Sequence, residues 1–395
     1  MIKDHLNQIK KLRSLSWEEK KSFLQELFTE IPLEELQELW SPSYLPTANT
    51  MVENMIGIFG MPLGIANYFK VNGKDYAVPM AVEESSVIAA ASYAAKIIFE
   101  SGGFKAEPVQ TIATLQMQWN FPDSDPQSIQ SWFDLKSPHW VKIGQDLLSN
   151  LVKRGGGIQD IELRSLGDHE YVIHIDVDTC ESMGANSVNT LGEKLTEYCL
   201  KDWKELSQKE VIPGLRILTN LPLKRMTQVS CEIPISHIPP QKEISSLEIA
   251  KGIEKATNFA KKDIFRCVTH NKGIMNGIDA VLIAIGNDWR AVEAACHAYA
   301  AYQRNYTSLT EWKVEGDILK GRIEVPLSLG TVGGIIQRHP ISILALKILG
   351  NPKSATLSQI VASVGLASNF AALRALTSEG IQKGHMSLHT AWKNS

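Results

Sequence analysis

The sequence predicts an α+β protein with a large, mainly helical domain and a small inserted domain. Its 395 residues suffice for two or three domains at roughly 100–200 residues each. Residues 110–221 show strand and helix patterns in the order β-α-β-β-α-β, which is the ferredoxin-like arrangement. The chain on either side has mostly helical spacing. We therefore predict a large domain formed by 1–109 and 222–378, with the small domain at 110–221 between them.

The N-terminal part of the large domain predicts helices. Ser16 and Glu19 have the spacing of a capping box at the start of a short amphipathic helix. The alanine-rich run 86–100 predicts a helix that packs closely on a neighbour, because small side chains let two backbones approach. Gly102 and Gly103 end this helix.

The strands of the small domain are predicted from runs of apolar side chains, clearest where these alternate with polar ones. They lie in 109–119, 160–166, 170–178 and 214–221. Two helices complete the predicted domain, one over 127–153 and one from a polar turn at 183–186 to about 208.

From residue 245 onward the sequence predicts mostly helices. Met275, Ile278 and Leu282 step by three and four residues, which places them on one stripe that faces the core. A glycine-rich turn at 330–334 precedes the last helical region, over 356–378.

Composition argues against several classes of function. With 40 basic and 43 acidic residues the net charge is −3, and no basic run offers a surface for nucleic acid or an anionic membrane. The sequence has neither a signal-peptide pattern nor an apolar run of about 18 residues, so we expect a cytoplasmic protein without a membrane span. The five cysteines form no C-x-x-C pair and no H-E-x-x-H occurs, so we expect no metal site.

Two segments carry charged side chains at unusual places. Glu83 and Glu84 precede the alanine-rich helix, either as first-turn carboxylates that complement the helix dipole or as a functional carboxyl whose pKa burial would raise. Lys272 and Asn276 lie one turn apart, away from the core stripe, with glycines beside them. Glycine is costly in a helix, so this pair is either a solvated face or faces a ligand brought close to the backbone.

Two further residues have an ordinary and a functional interpretation. Asp288 is either a helix N-cap or a second functional carboxylate, and His385 is either a surface residue or part of a site. Together with Glu84 and Lys272 they could polarise a carbonyl, protonate its oxygen and protonate a leaving group. The sequence has neither a dinucleotide fingerprint of the G-x-G-x-x-G type nor a P-loop.

At these segments the chain closely resembles class II 3-hydroxy-3-methylglutaryl-coenzyme A reductases, the soluble bacterial form. The resemblance runs from about residue 10 to 389, and its motifs lie at 53–57, 82–86, 183–186, 269–279, 286–291 and 384–386. It implies a mevalonate-pathway enzyme of isoprenoid biosynthesis that reduces the thioester with two NADH or NADPH. The products are mevalonate and coenzyme A, and mevalonate degradation would run the reaction in reverse.

The resemblance also implies roles for individual residues. Glu84 is implied as the proton donor, and Lys272 as the cation that stabilises the carbonyl oxygen. Asp288 is implied to link these two residues, and His385 to protonate the departing thiolate. Residues implied to bind substrate are Ser86, Arg266, Asn276 and, at a coenzyme A phosphate, Arg13.

The small domain is implied to bind the nicotinamide cofactor. The turn Met183, Gly184, Ala185 and Asn186 is the expected pyrophosphate seat, because it opens a helix. Asp146 is the expected carboxylate on the adenosine ribose, although Gln145 could take that place.

The resemblance further implies a homodimer whose active site is built from both subunits. Relatives continue past the histidine of the last motif as a mobile flap, whereas ten residues follow His385 here. We therefore expect 379–395 to be the start of a flap that is missing or truncated. The alternative function is a catalytically impaired dimer that binds coenzyme A and lacks its flap.

Overall fold

The computed structural model describes residues 17–32, 34, 35, 47, 51, 58–302 and 305–378. The chain divides into two compact units. The large unit comprises 1–109, 227–325 and 331–395, and the small unit comprises 110–226 and 326–330. Residues 222–226 and 326–330, which the sequence analysis placed in the large domain, therefore group with the small unit. The first segment contains a buried arginine, Arg225, which bonds to Leu329 of the second and is described below.

Helices of the large unit surround one buried helix. The helices are α1 (Trp17–Leu27), α2 (Val87–Glu100), α6 (Ser246–Lys262), α7 (Ile264–Ala284), α8 (Trp289–Ala301), α9 (Pro340–Ile348) and α10 (Ser354–Ser378). Helix α10 packs against α2, α6 and α7 and has apolar side chains on all sides, as a central core helix does. Among the described helices, α10 alone is long and apolar enough to cross a membrane, and 67% of its most apolar window is buried inside the protein.

Two small antiparallel sheets complete the large unit. The first is the hairpin of β1 (Leu63–Val71) and β2 (Lys74–Ala81), whose end leads towards α2. The second has the order β3-β8-β10-β9, with β3 (Lys105–Ala106), β8 (Met226–Pro234), β9 (Thr310–Glu315) and β10 (Ile318–Pro326). The mostly helical prediction for the chain after 245 missed the β9–β10 hairpin.

The small unit has one antiparallel sheet with two long helices and one short helix. Its elements are β4 (Ile112–Asn120), α3 (Pro126–Leu147), α4 (Ser149–Val152), β5 (Gly157–Gly167), β6 (Glu170–Asp178), α5 (Ala185–Ser207) and β7 (Ile212–Leu218). The strand order is β5-β6-β4-β7, so β4 and β6 are central. The helix predicted over 127–153 is divided at Leu148 into α3 and α4.

An aromatic cluster fixes both long helices of the small unit to the sheet. Trp119, Phe121, Trp132 and Trp203 are buried together, with ring centroids 4.7 to 6.4 Å apart. Such ring pairs add about 0.5–1.5 kcal/mol each beyond the burial of their area. The cluster therefore makes the sheet and α5 a rigid base for the turn that precedes α5.

Candidate active site

Glu84 lies between β2 and α2 in the large unit. Helix α2 starts at Val87, so neither Glu83 nor Glu84 lies in its first turn. The interpretation of these residues as first-turn carboxylates that complement the helix dipole is therefore wrong. The N-cap is Ser86, with φ of 77° and no capping bond from its side chain. This left-handed conformation is costly for a residue with a Cβ and is typical of functional sites.

Lys272 lies on α7 opposite this segment. Its Nζ atom is 3.6 Å from Oε2 of Glu84, with side chains 62% and 41% exposed in the single chain. An ion pair this exposed contributes about 0–1 kcal/mol to stability. Met275 and Ile278 are buried on the other side of the helix, as their spacing predicted. The pair is therefore available to a ligand and is not needed to hold the fold together.

The two glycines beside Lys272 differ in what surrounds them. A Cβ at Gly273 would meet nothing within 4 Å, whereas a Cβ at Gly277 would overlap Oγ of Ser368 on α10. The hypothesis that both glycines bring a ligand close is therefore wrong for Gly277. That glycine lets two core helices pack closely.

Asp288 is the N-cap of α8. Its Oδ1 accepts a hydrogen bond from the backbone N–H of Ala291 at 3.0 Å, which is the ordinary interpretation of this residue. The ion pair that the structure places in this region joins Lys272 to Glu84 directly. Of the implied substrate-binding residues, Ser86 and Asn276 are half-buried, and so is Arg266 near the start of α7. Arg13 and His385 lie outside the described residues.

The small unit carries the turn predicted to bind pyrophosphate. Gly184 is the N-cap of α5, with φ of 104° and no side chain to cap the helix. A Cβ there would overlap Cγ2 of Thr179, so both the conformation and the space require glycine. The first backbone N–H groups of α5 and the positive end of its dipole are therefore left for an anion.

Asp146 and Gln145 are adjacent on α3 but face different surroundings. The Gln145 side chain donates to the carbonyl of Ile158 at 2.9 Å and accepts from its N–H at 3.2 Å. Its amide thus pairs with the backbone of Ile158 on β5. Asp146 is exposed. Of the two residues, only Asp146 has an exposed side chain.

Two features near the turn at 183–186 were not predicted from the sequence. Arg225 is completely buried and bonds to the loop before that turn, and Gly330 lies against Met183. An isolated arginine after a lysine in a loop has no motif that marks it as buried. The proximity of Arg225 and Gly330 to the turn becomes evident only in the three-dimensional structure.

His270 belongs to the same motif as Lys272 but faces the core. Its Nε2 lies 2.7 Å from Oγ1 of Thr310 and 3.1 Å from Nδ2 of Asn369. Burial lowers the pKa of His270 to about 3. In the unfolded chain the histidine pKa is near 6.5, so as the pH falls the unfolded state takes up a proton before the folded state does. His270 should therefore lower the free energy of unfolding by about 2 kcal/mol between pH 7 and pH 5.

We therefore expect a His270→Gln variant to be less stable at pH 7 but to lose less stability on acidification. Urea denaturation at pH 7 and pH 5 measures both effects. His139→Gln, which changes an exposed histidine, is the matched control. An unchanged pH slope in His270→Gln would show that another group causes the acid sensitivity.

Comparison with known proteins identifies the family. The family model for hydroxymethylglutaryl-coenzyme A reductase matches residues 16–390. The 3-hydroxy-3-methylglutaryl-coenzyme A reductase of Archaeoglobus fulgidus is 41% identical over 350 residues, which are 87% of this chain and 77% of the relative. The probable reductase of Borreliella burgdorferi is 38% identical and covers 86% and 76%.

A solved structure shows the same fold. It is the class II 3-hydroxy-3-methylglutaryl-CoA reductase from Streptococcus pneumoniae bound to NADPH in open conformations, with a TM-score of 0.82 and 37% identity. The match covers 93% of this chain and 99% of that one. The protein is thus a mixed α/β oxidoreductase that depends on NAD(P)H. It belongs to the hydroxymethylglutaryl-coenzyme A reductase family, which confirms the resemblance and the function predicted from it.

Proposed function

We propose that this chain reduces 3-hydroxy-3-methylglutaryl-coenzyme A to mevalonate and coenzyme A with two NAD(P)H, or runs the reverse reaction where mevalonate is degraded. The exposed pair of Lys272 and Glu84 at 3.6 Å carries the proposal, since it offers a cation and a proton donor to one oxygen. The impaired-dimer alternative is less favoured, because the family match extends to residue 390 and so includes His385.

The test follows nicotinamide absorbance with 3-hydroxy-3-methylglutaryl-coenzyme A as substrate, once with NADH and once with NADPH. We expect oxidation of two cofactor molecules for each thiol released. Release of thiol without a change in absorbance would indicate a hydrolase and refute the proposal. Binding of substrate without turnover would favour the impaired dimer.

Each proposed catalytic residue has a different role. A bound nicotinamide would supply the hydride for each of the two reductions. The ammonium of Lys272 stabilises the negative charge that develops on the carbonyl oxygen in both steps. When the C–S bond of the first intermediate breaks, His385 protonates the departing coenzyme A thiolate. This proton transfer is downhill because the thiol pKa, about 8.5, exceeds the imidazole pKa, about 6.5. Glu84 then protonates the oxyanion left by the second hydride transfer, which becomes an alcohol group of mevalonate.

The remaining residues are proposed to position these groups. Asp288, as a rigid helix cap, is proposed to orient Lys272 and Glu84 when substrate is present. Ser86, Arg266 and Asn276 are proposed to hold the hydroxymethylglutaryl portion, and Arg13 a coenzyme A phosphate. Burial lowers the pKa of Arg266, which nevertheless remains a cation suited to a carboxylate.

We propose that the small unit is an inserted ferredoxin-like domain that binds the cofactor. The element order β-α-β-β-α-β and the central position of β4 and β6 support this interpretation. The turn from Met183 to Asn186 is proposed to hold the pyrophosphate. The glycine that lacks space for a Cβ and the uncapped start of α5 fit such a group.

Asp146 is expected to favour NADH over NADPH. A carboxylate on the ribose accepts hydrogen bonds from two hydroxyls but repels a 2′-phosphate. In Asp146→Ala, the ratio of kcat/KM with NADPH to kcat/KM with NADH should rise about tenfold, equivalent to about 1.4 kcal/mol. Steady-state kinetics with both cofactors measure it. Asp134→Ala, another exposed position on α3, should leave the ratio unchanged.

The protein is proposed to act as a cytoplasmic homodimer. Three apolar side chains near the start of α7, the helix of Lys272, are exposed in the single chain: Ile264, Phe265 and Val268. Phe265 is 84% exposed, which is unusual for a phenylalanine on a helix and fits cover by a second copy. Sedimentation equilibrium tests this state, and a monomer at micromolar concentration would contradict it.

A further inference from the structure

Arg225 is the most deeply buried charged residue among the described residues, with an exposure of 0%. It lies in the loop between β7 and β8. One guanidinium nitrogen, Nη1, donates to Oγ1 of Thr179 at 3.3 Å and to the carbonyl of Ser182 at 3.4 Å. The other, Nη2, donates to the carbonyl of Leu329. One side chain therefore joins two segments that are distant in the sequence.

The first of these segments leads directly into the proposed pyrophosphate turn. Oγ1 of Thr179 donates to the carbonyl of Ser182 at 2.7 Å, and Oγ of Ser182 donates back to the carbonyl of Thr179 at 3.0 Å. Met183 and Gly184 follow at once. Because Arg225 binds Thr179 and Ser182 together, it fixes the backbone conformation that precedes the start of α5.

The second segment lies directly against the turn. A Cβ at Gly330 would be 2.8 Å from the backbone nitrogen of Met183 and 3.3 Å from the carbonyl carbon of Ser182. Such distances to backbone atoms leave no room for a side chain. The carbonyl of Arg225 also accepts from the N–H of Leu327 at 3.3 Å. Arg225 thus holds residues 327–330 in close contact with the backbone of the turn at Met183.

Burial of the charged Arg225 side chain does not by itself stabilise the fold, because removing a charge from water costs free energy. Burial lowers the pKa of Arg225 to about 10, so the guanidinium is still charged at neutral pH. The carboxylates of Asp178 and Glu181 are its nearby countercharges. Apolar replacements of buried charges are often neutral or stabilising for a fold. A charge buried beside the proposed pyrophosphate turn is therefore better explained by ligand binding.

We propose that Arg225 is a positioning residue for the dinucleotide, which sets the conformation of the Met183–Asn186 turn and adds positive potential beneath the pyrophosphate. The inference rests on the proposed role of the small unit in cofactor binding. It concerns a residue that acts through the turn, since both of its terminal guanidinium nitrogens donate to protein atoms.

The test compares three variants with the intact protein. Arg225→Met removes the charge at similar volume, Arg225→Lys keeps the charge with fewer donors, and Gly330→Ala displaces the turn while leaving the guanidinium in place. Arg164→Met, an exposed arginine on β5, is the matched control. Cofactor dissociation constants come from quenching of protein fluorescence by NADH and NADPH, and coenzyme A binding is measured by calorimetry.

We expect Arg225→Met to weaken binding of the cofactor about 10- to 100-fold, the range for loss of hydrogen bonds to a charged group. Arg225→Lys should lie between Arg225→Met and the natural protein. Gly330→Ala should weaken cofactor binding at least about tenfold, since backbone atoms must move. In all three, KM for the cofactor should rise more than kcat falls, and coenzyme A binding should be unchanged.

Several outcomes would overturn the inference. Cofactor binding equal to that of the natural protein in both Arg225→Met and Gly330→Ala is one. Equal loss of cofactor and coenzyme A binding, together with a lower melting temperature, would show a purely structural role. If Arg225→Met does not fold, Gly330→Ala decides. Failure of the natural protein to bind either nicotinamide would instead refute the proposed function.

Discussion

Replacement of Lys272 by methionine is expected to lower kcat for thioester reduction by about 10³-fold or more. Removal of one preorganised donor to a developing oxyanion costs about 10²–10³ in rate, and here a full positive charge is lost as well. The melting temperature should not change, because the ion pair with Glu84 is exposed and is worth about 0–1 kcal/mol at most. Single-turnover absorbance and thermal unfolding measure the two quantities.

Lys255→Met provides the control for this variant. It removes a lysine from an exposed position of α6 in the same unit. We expect normal turnover from it. If Lys272→Met retained near-normal turnover, the assignment of Lys272 as the oxyanion-stabilising cation would be wrong.

Glu84→Gln should also nearly abolish reduction, with a fall in kcat of about 10²–10⁴, the usual contribution of a positioned acid. The amide keeps the size and hydrogen-bonding reach of the side chain but cannot supply the proton. Glu83→Gln is an unusually close control, since Glu83 is the adjacent residue and is equally exposed on the same segment. Initial rates over pH 6–9 for both variants measure the effect.

The comparison between the two glutamates tests the choice between them. Turnover in Glu83→Gln should stay within about twofold of the natural protein. A larger loss in Glu83→Gln than in Glu84→Gln would move the proton donor to the first glutamate. Comparable losses in both would indicate that the segment, and not a single carboxyl, is required.

Side-chain spacing predicted those parts of the fold that depend on local pattern. The face of α7 that carries Lys272 followed from the apolar positions of Met275 and Ile278, because both the helix period and the core contact are local properties. The strand β6 followed equally from alternation along 170–178. The hairpin of β9 and β10 was missed, although Thr310 and Trp312 are buried on one side of β9, because six residues give only a short alternating pattern.

Features that depend on distant parts of the chain could not be predicted in this way. The left-handed conformation of Ser86 is imposed by its surroundings, since serine has no intrinsic preference for it. The packing of Gly277 against Ser368 joins two helices that are far apart in sequence. Gly277 was predicted to lie next to a ligand, whereas it packs against Ser368 of α10.

The bond from Arg225 to Leu329 has a consequence for how the protein is made. These two residues are 104 positions apart, and the segment 326–330 completes the small unit. A ribosome adds about 5–20 residues each second, so Leu329 is synthesised roughly 5–20 seconds after Arg225. During that interval the sheet and its helices can already fold on the aromatic cluster, whereas the loop before α5 still lacks its last support. If the turn holds the pyrophosphate as proposed, the protein gains the capacity to bind a dinucleotide late in translation, after the surrounding domain has formed.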